Sequence, residues 1–138
     1  MRLRKDAKIG LISKVPLFRG LSRRELEQVA SIADEIDLRK DKVLTREGER
    51  GREFFILIEG EAEVRRKGRK LAVRQGGEFF GEIALVCNVP RVATVTAISP
   101  VRALVIRDIE FRTLLQRVPA IALKVLEAVA ERLPTAEL

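Results

Sequence analysis

The segment Gly77–Val95 reads GEFFGEIALVCNVPRVATV and constrains the chemistry of the chain more than any other. Gly81 leaves the backbone unhindered at the start of a predicted helical turn, where unpaired N–H groups favour an anion. Arg91 follows at the start of a predicted strand, and its planar guanidinium can hold two phosphate oxygens. Glu82 would repel an anion, so its presence is explained if it accepts hydrogen bonds from the hydroxyls of a ribose on the same ligand. The segment therefore predicts a phosphate site.

The region around this segment, from Glu35 to Arg107, predicts a series of short strands. β-branched and apolar residues alternate with polar ones, and glycines separate the runs. No long helix interrupts the series, so we expect antiparallel connections and a mainly β fold, an antiparallel jelly roll (double-stranded β-helix) with flanking helices. The expected strands are Ile36–Arg39, Lys42–Arg46, Phe54–Glu59, Ala62–Arg66, Lys70–Arg74, Val92–Ile98 and Val101–Arg107.

Helical patterns precede the strands. Ser22 and Glu25 have the spacing of a capping box at the start of a helix that extends to about Ala33. Ile9–Val15 predicts a shorter helix, which stops before Pro16 because the residue ahead of a proline avoids helical backbone angles. We therefore expect a helical region over residues 1–34.

Helical patterns also follow the strands. Asp108 is expected to cap one helix, and Pro119 to start another that ends near Leu133 and Pro134. The polar residues of the last helix share one stripe and its apolar residues cover the broad remainder, so it should bury more than one surface. The chain then divides into helices (1–34), a β-roll (35–107) and C-terminal helices (108–134), all within one domain spanning residues 1–138.

Composition excludes several classes of function. The chain of 138 residues, 46% of them hydrophobic, has room for one core, and it contains no histidine and a single cysteine. Histidine-based catalysis, a cysteine-rich zinc site and an internal disulfide are excluded, and Cys87 is expected to lie reduced in the core. The longest uncharged run, residues 92–101, is too short to cross a bilayer, and the basic start lacks the apolar core of a signal peptide. We expect a cytoplasmic protein that is neither an enzyme nor a metal binder.

The charge balance favours an anionic partner without choosing one. The formal net charge is +7, and 19 of the 27 basic residues are arginine. The densest basic cluster, Arg65–Lys70, falls at an expected hairpin and has neither interleaved aromatic residues nor a recognition helix beside it. A solvated turn is therefore expected, and direct nucleic-acid binding is not predicted.

Two parts of the segment 77–95 also resemble a known family. FGEIAL at Phe80–Leu85 and PRVATV at Pro90–Val95 are similar to the phosphate-binding cassette of the cyclic nucleotide-binding domain family. The turns at Glu47–Glu49 and at Glu59-Gly60 also fall where such domains have them, as does the aromatic pair Phe54-Phe55. The resemblance, to the cyclic AMP receptor-like, single-domain bacterial type, covers residues 15–133 and so nearly the whole chain.

The resemblance implies a role for each residue of the cassette. Glu82 would accept a hydrogen bond from the ribose 2′-hydroxyl, and Arg91 would pair with the cyclic phosphate. The backbone N–H groups of Ala84 and Val92 would complete the phosphate shell, and Gly81 would let the backbone approach the sugar. Among the phenylalanines, which are expected in the core, Phe54 or Phe55 is expected near the ligand. The residues expected to bind the nucleotide are Phe80, Gly81, Glu82, Ile83, Ala84, Arg91, Val92 and Ala93.

The resemblance also bears on which nucleotide binds and with what effect. In relatives that prefer cyclic GMP, the position of Val92 tends to carry a hydroxyl that contacts the guanine amino group. Valine has none, and one neutral hydrogen bond contributes about 1 kcal/mol, so cyclic AMP is expected to be preferred several-fold without cyclic GMP being excluded. In the family the C-terminal helix covers the base, so we expect binding to move residues 119–133, as a lid or as a homodimer seam.

Two functions from different classes are favoured at this point, and a third, an enzyme such as a phosphodiesterase or a DNA-binding regulator, has no histidine, metal cluster or recognition helix in the sequence to support it. The first is a cyclic nucleotide sensor that regulates an unknown effector protein. The second is a structural or protein-interaction domain that keeps the fold without the ligand, in which Glu82 and Arg91 would simply pair with each other. The sequence contains no recognisable output module, so the chain is either free-standing or part of a larger protein. The start at Met1 and the proline at 134 favour a complete short protein.

Overall fold

The computed structural model describes residues 5–133 and places helices on both sides of a β-roll. The helices are α1 (Lys5–Ser13), α2 (Arg23–Ile32), α3 (Glu82–Val86), α4 (Asp108–Arg117) and α5 (Pro119–Arg132), with a 3-10 turn at Pro16–Phe18. The strands are β1 (Asp34–Leu38), β2 (Val43–Thr45), β3 (Glu53–Glu59), β4 (Glu61–Arg66), β5 (Arg69–Gln75), β6 (Phe79–Phe80), β7 (Thr94–Ala97) and β8 (Val101–Arg107).

The strands form two antiparallel sheets that face each other. The first sheet has the order β1-β8-β3-β6, and the second has the order β2-β7-β4-β5. Every pairing is antiparallel, and successive strands such as β3 and β4 lie in different sheets. The prediction of an antiparallel β-roll with flanking helices is confirmed.

The first sheet is buried on both faces, which explains the continuous apolar run in β3. Side chains alternate across a strand. Phe54 and Ile56 join the buried cluster formed with the helices, whereas Phe55 and Leu57 join the cluster between the two sheets. A sheet covered on both sides needs apolar residues at successive positions, and here it separates a helical layer from the interior of the β-roll.

The predicted helices are confirmed, with small shifts at their ends. The capping box of α2 is formed, since Glu25 N donates to Ser22 Oγ at 3.1 Å and Ser22 N donates to a Glu25 carboxylate oxygen at 2.9 Å. The first helix begins earlier than expected, at Lys5, and the last begins at Pro119 as expected. The predicted stop at Pro134 lies outside the described residues.

The approach to β7 differs from the prediction. The sequence predicts a strand from Val92, but β7 begins at Thr94. Arg91 N donates to Glu49 O, and Gly48 N donates to Arg91 O, both at 2.8 Å. These two bonds tie Arg91 to the β2–β3 loop, so the chain joins the regular ladder with β2 and β4 only three residues later. The two-residue strand β6, which the sequence does not predict, pairs with β3.

Two predictions for single residues are wrong. Asp108 does not precede its helix as a cap: Arg107 holds the N-cap position, and Asp108 begins α4 with its carboxylate accepting from Ile109 N at 2.8 Å. The reason is that β8 runs through Arg107 directly into the helix. Cys87 is exposed and not in the core, because it lies in the surface loop that follows α3.

The basic cluster Arg65–Lys70 spans the end of β4, the turn at Lys67 and Gly68, and the start of β5. Lys67 and Gly68 at its tip both have positive φ, 51° and 77°, and both are exposed. The prediction of a solvated turn is confirmed for this tip. Arg66 is the exception, because its side chain is only partly exposed and lines a cavity.

Replacing Ile121 by alanine is predicted to destabilise the protein by about 2–5 kcal/mol. Ile121 is fully buried in the cluster that holds α5 against the first sheet, and the smaller side chain leaves a cavity there. Leu123, on the same helix, is 58% exposed, so Leu123→Ala is the matched control and should change the free energy of unfolding by less than about 0.5 kcal/mol. Urea unfolding measures both, and equal losses would contradict this placement of α5.

Candidate functional site

A cavity of about 260 Å³ lies between the inner face of the second sheet, α3 and the end of α5. This volume is slightly below the range of about 300–1,000 Å³ that is usual for small-molecule sites, so it suits one ligand of modest size. All of the residues that the sequence predicts at the site line this cavity: Phe80, Gly81, Glu82, Ile83, Ala84, Arg91, Val92 and Ala93. The fold thus brings the two halves of the predicted segment together around one space.

Gly81 forms the turn that leads into α3. Its φ of 96° lies in the left-handed region, which disfavours residues with a Cβ. A Cβ at this position would also lie 2.8 Å from Arg91 Nη1 and 2.9 Å from Glu53 O. Glycine is therefore required twice over, by the backbone angle and by the close approach of the guanidinium. The turn leaves the first N–H groups of α3 without partners inside the helix.

Arg91 is a buried cation that is held by backbone carbonyl groups. It is 7% exposed, and it donates from Nη1 to Gly81 O at 3.0 Å and from Nη2 to Glu53 O at 2.7 Å. Within residues 5–133 it forms no ion pair with a carboxylate. Burial lowers the pKa of Arg91, and the charges of Glu53 and Glu82 oppose this shift. Two carbonyl groups do not neutralise a buried positive charge, so this position favours an anion beside the guanidinium.

The side chain of Arg91 also depends on Gly51. A Cβ at Gly51 would overlap the Arg91 guanidinium, so the side chain crosses directly over this glycine. Beside Arg91 lies the aromatic pair Phe55 and Phe80, whose rings stack with centroids 5.0 Å apart. Of the two aromatic residues expected near the ligand, Phe55 has its ring centroid 5.9 Å from Arg91 Cζ but does not itself line the cavity. Phe54 stacks instead on Phe111 on the helical side of the sheet, with centroids 4.4 Å apart.

Glu82 pairs with α5 and not with Arg91. The Glu82 side chain is buried, and Arg132 donates to its carboxylate as well as to Phe79 O, the latter at 2.8 Å. The Arg132 guanidinium lies over the Phe79 ring, 4.7 Å from its centroid. The last turn of α5 is thereby fixed to the start of α3. The Glu82–Arg91 pair that a ligand-free domain would use is not formed, and both side chains face the cavity.

The opposite wall of the cavity is formed by residues that the sequence does not predict at the site. This wall comes from β4, β5 and α5, and its residues are Val64, Arg66, Leu71, Ala72, Arg74, Glu131 and Arg132. Strand register brings these side chains to the site, because Val64 pairs with Ala72 and Ala62 pairs with Arg74 across β4 and β5. The sequence holds one indication of this wall: successive side chains of a strand point to opposite faces, so Ala72 and Arg74 lie on the same face of β5.

No group of three or more cysteine, aspartate and glutamate side chains among residues 5–133 comes close enough to hold a metal ion. None of the helices within residues 5–133 is both long enough and apolar enough to cross a bilayer.

Comparisons with known proteins agree with this geometry. The model of the cyclic nucleotide-binding domain family matches residues 35–118. A putative potassium channel protein of Rhodopseudomonas palustris is 32% identical over 126 residues, which are 88% of this chain and 30% of that protein. A cAMP-dependent protein kinase regulatory subunit of Mycosarcoma maydis is 44% identical over 96 residues, 60% of this chain and 17% of that protein.

Solved structures give the same result. The catabolite activator protein of Thermus thermophilus superposes with a TM-score of 0.77 at 26% identity, covering 85% of this chain and 57% of that one. The potassium channel protein and the kinase regulatory subunit are both longer proteins, and this chain spans about a third or less of the length of each. The match to the family model over most of the β-roll, together with the shared fold, shows that the chain belongs to the cyclic nucleotide-binding domain family.

Proposed function

We propose that the cavity binds a cyclic nucleotide, preferably cyclic AMP, and that the chain acts as a regulatory sensor through α5. The observation that carries the proposal is Arg91, a buried guanidinium that pairs with no carboxylate of residues 5–133 and faces a cavity beside the start of α3. An anion placed there would gain the guanidinium charge and the free N–H groups of the helix together.

Each part of the nucleotide has a counterpart in the cavity. Arg91 and the N–H groups of Ala84 and Val92 would hold the cyclic phosphate, and Glu82 would accept from the ribose 2′-hydroxyl. The opposite wall offers the apolar side chains of Val64, Leu71 and Ala72, against which a purine ring could pack, beside the charged groups of β4, β5 and α5.

The preference for cyclic AMP rests on Val92. Val92 lines the cavity and carries no hydroxyl that could accept from the guanine amino group. One such hydrogen bond contributes about 1 kcal/mol, which corresponds to a several-fold preference. The similarity to a kinase regulatory subunit described as cAMP-dependent supports the same ligand.

The link between ligand and α5 is Arg132. Arg132 donates to the Glu82 carboxylate, the group that the ribose hydroxyl would also use. Binding would therefore change the contact that fixes the end of α5, and α5 would shift or become more ordered in response. The alternative, a domain that binds no ligand, lacks support because it predicts a Glu82–Arg91 pair and a filled site.

The remaining expectations stay predictions. These are an effector protein, a cytoplasmic location, the absence of catalysis and a homodimer. The homodimer has one supporting observation: Leu123 and Leu126 are each 58% exposed and Leu133 is 45% exposed, and all three belong to α5 or its end. A second copy of this chain could cover such a row of leucines.

Arg91→Ala is predicted to reduce the affinity for cyclic AMP about 10-fold to 100-fold, because a charge-assisted bond to the phosphate is lost. Thermal unfolding with and without the nucleotide measures this, since a ligand at 100 times its dissociation constant stabilises the folded state by about 2.7 kcal/mol. Arg112→Ala is the matched control, because Arg112 donates to the carbonyl of Leu85 in α3 from outside the cavity. Wild-type stabilisation by cyclic AMP in the Arg91 variant would contradict the proposed role.

Saturating cyclic AMP is predicted to change hydrogen exchange in residues 119–133, because the ribose hydroxyl would compete with Arg132 for the Glu82 carboxylate that fixes the end of α5. The amides of α2, which has no residue at the cavity, provide the internal control and should exchange at the same rate with and without ligand. Unchanged exchange throughout 119–133 at saturation would rule out signalling through this helix.

A further inference from the structure

A second cavity, of about 300 Å³, lies along the β2–β3 loop, and the cyclic nucleotide proposed above does not occupy it. Its charged lining consists of four arginines and two glutamates, so its wall carries an excess of positive charge. These residues are Arg46, Arg50, Arg52 and Arg91, with Glu49 and Glu53.

The three arginines of the loop have no partners for their guanidinium groups within residues 5–133. Arg46, Arg50 and Arg52 are all exposed, and none of them forms an ion pair or a side-chain hydrogen bond with that part of the chain. Like charges that line one cavity repel each other, and an anion among them relieves that repulsion. Each guanidinium can bond two oxygens of a phosphate group at once.

The backbone of the loop is already fixed at both ends. Near its start, Gly48 N donates to Arg91 O and Arg91 N donates to Glu49 O, both at 2.8 Å. At its far end, Asp108 N donates to Arg52 O at 2.8 Å. A loop that is held in this way loses little conformational freedom when a ligand binds, which favours affinity.

Arg91 connects the two cavities, because it lines both of them. Its Nη atoms donate to Gly81 O and Glu53 O, whereas its Nε has no acceptor within residues 5–133. Nε is also the atom nearest to the position that a Cβ at Gly51 would take, and Gly51 belongs to the wall of the second cavity. The charge that favours an anion in the first cavity therefore acts in the second one as well.

We propose that the second cavity binds an oligophosphate, either inorganic pyrophosphate or the phosphate chain of a nucleoside triphosphate. The cavity is at least as large as the first one, so a single phosphate group would fill only part of it. Glu49 and Glu53 oppose the attraction, so a ligand with a single charge gains little. Linked phosphate groups bring several charges to several arginines at once, which outweighs the two carboxylates.

The test measures the binding of inorganic pyrophosphate to the full chain by calorimetry, at constant ionic strength and without cyclic nucleotide. The loop variant, Arg46→Gln/Arg50→Gln/Arg52→Gln, should bind pyrophosphate about 10-fold more weakly or worse, because three charged contacts are lost together. Arg50→Gln alone should weaken binding about 2-fold to 5-fold, and it decides the question if the triple variant does not fold. Unchanged affinity in the folded variants would overturn the proposal.

ATP, measured beside pyrophosphate, distinguishes the two sources of the phosphate groups. Tighter binding of ATP than of pyrophosphate, lost in the loop variant, indicates a nucleoside triphosphate. Equal or weaker binding of ATP indicates an inorganic oligophosphate. Wild-type protein that binds neither compound would overturn the proposal.

A second triple variant, Arg24→Gln/Arg39→Gln/Arg69→Gln, is the matched control. It removes the same charge from three exposed arginines that line neither cavity and have no side-chain partner within residues 5–133. Screening by salt limits their effect at a distance, so pyrophosphate binding should weaken by less than about 2-fold. Equal losses in the loop variant and in this control would indicate a general charge effect and would overturn the proposal.

Cyclic AMP provides a second readout, which rests on the function proposed above. Because both anions use the charge of Arg91, saturating pyrophosphate should raise the dissociation constant of cyclic AMP about 3-fold or more in the wild type and leave it unchanged in the loop variant. An unchanged constant in the wild type would overturn the link through Arg91. Displacement of cyclic AMP from the loop variant would place pyrophosphate in the first cavity and overturn the second site. Wild-type protein that binds pyrophosphate but not cyclic AMP would overturn the proposed function and leave the second site intact.

Discussion

The burial of the Arg91 guanidinium is the constraint on which the site depends. Its two hydrogen bonds join Gly81, at the entry to α3, to Glu53 at the start of β3. Its backbone is bonded to Gly48 and Glu49 in the β2–β3 loop. One residue thus holds three separate parts of the chain around the cavity. Its charge, with no carboxylate bonded to it in the described part of the chain, makes the same position favourable for an anion.

The β-roll supports the residues of the cavity, and the last helix is attached to that support. The first sheet is packed on both faces, so it is a rigid base from which Phe55, Phe80 and the α3 turn project. The last helix is attached to that base by buried Ile121, Val125 and Val129, and to the site itself by Arg132. A ligand that competes for Glu82 would act on the polar attachment and leave the apolar one in place, which permits a movement of the helix end without loss of the fold.

How much the sequence could predict depends on how local each feature is. The cassette residues are close in sequence, and one turn, one short helix and one arginine define them, so all of them line the cavity. The fold class followed from the alternation of apolar residues and the spacing of glycines. Arg132 and Arg74 could not be found in this way, because the docking of α5 and the register of β4 with β5 bring them to the site.

The wrong predictions for the start of β7 and for Cys87 also arise because contacts between distant segments decide these positions. Val92 and Ala93 fit the alternation of a strand, but the hydrogen bonds of Arg91 to the β2–β3 loop hold them outside it. Cys87 was expected in the core because free cysteines are usually buried, whereas the loop that links α3 to Arg91 runs over the surface. Composition describes an average environment, and only the path of the chain decides the position of one residue.

The most direct test of the central claim is a calorimetric titration of the wild-type protein with cyclic AMP. We expect a single saturable site per chain with a dissociation constant in the micromolar range or below, which corresponds to a binding free energy of about −8 kcal/mol or stronger. The absence of saturable heat with cyclic AMP, together with the absence of any change in unfolding temperature at the same concentrations, would contradict it.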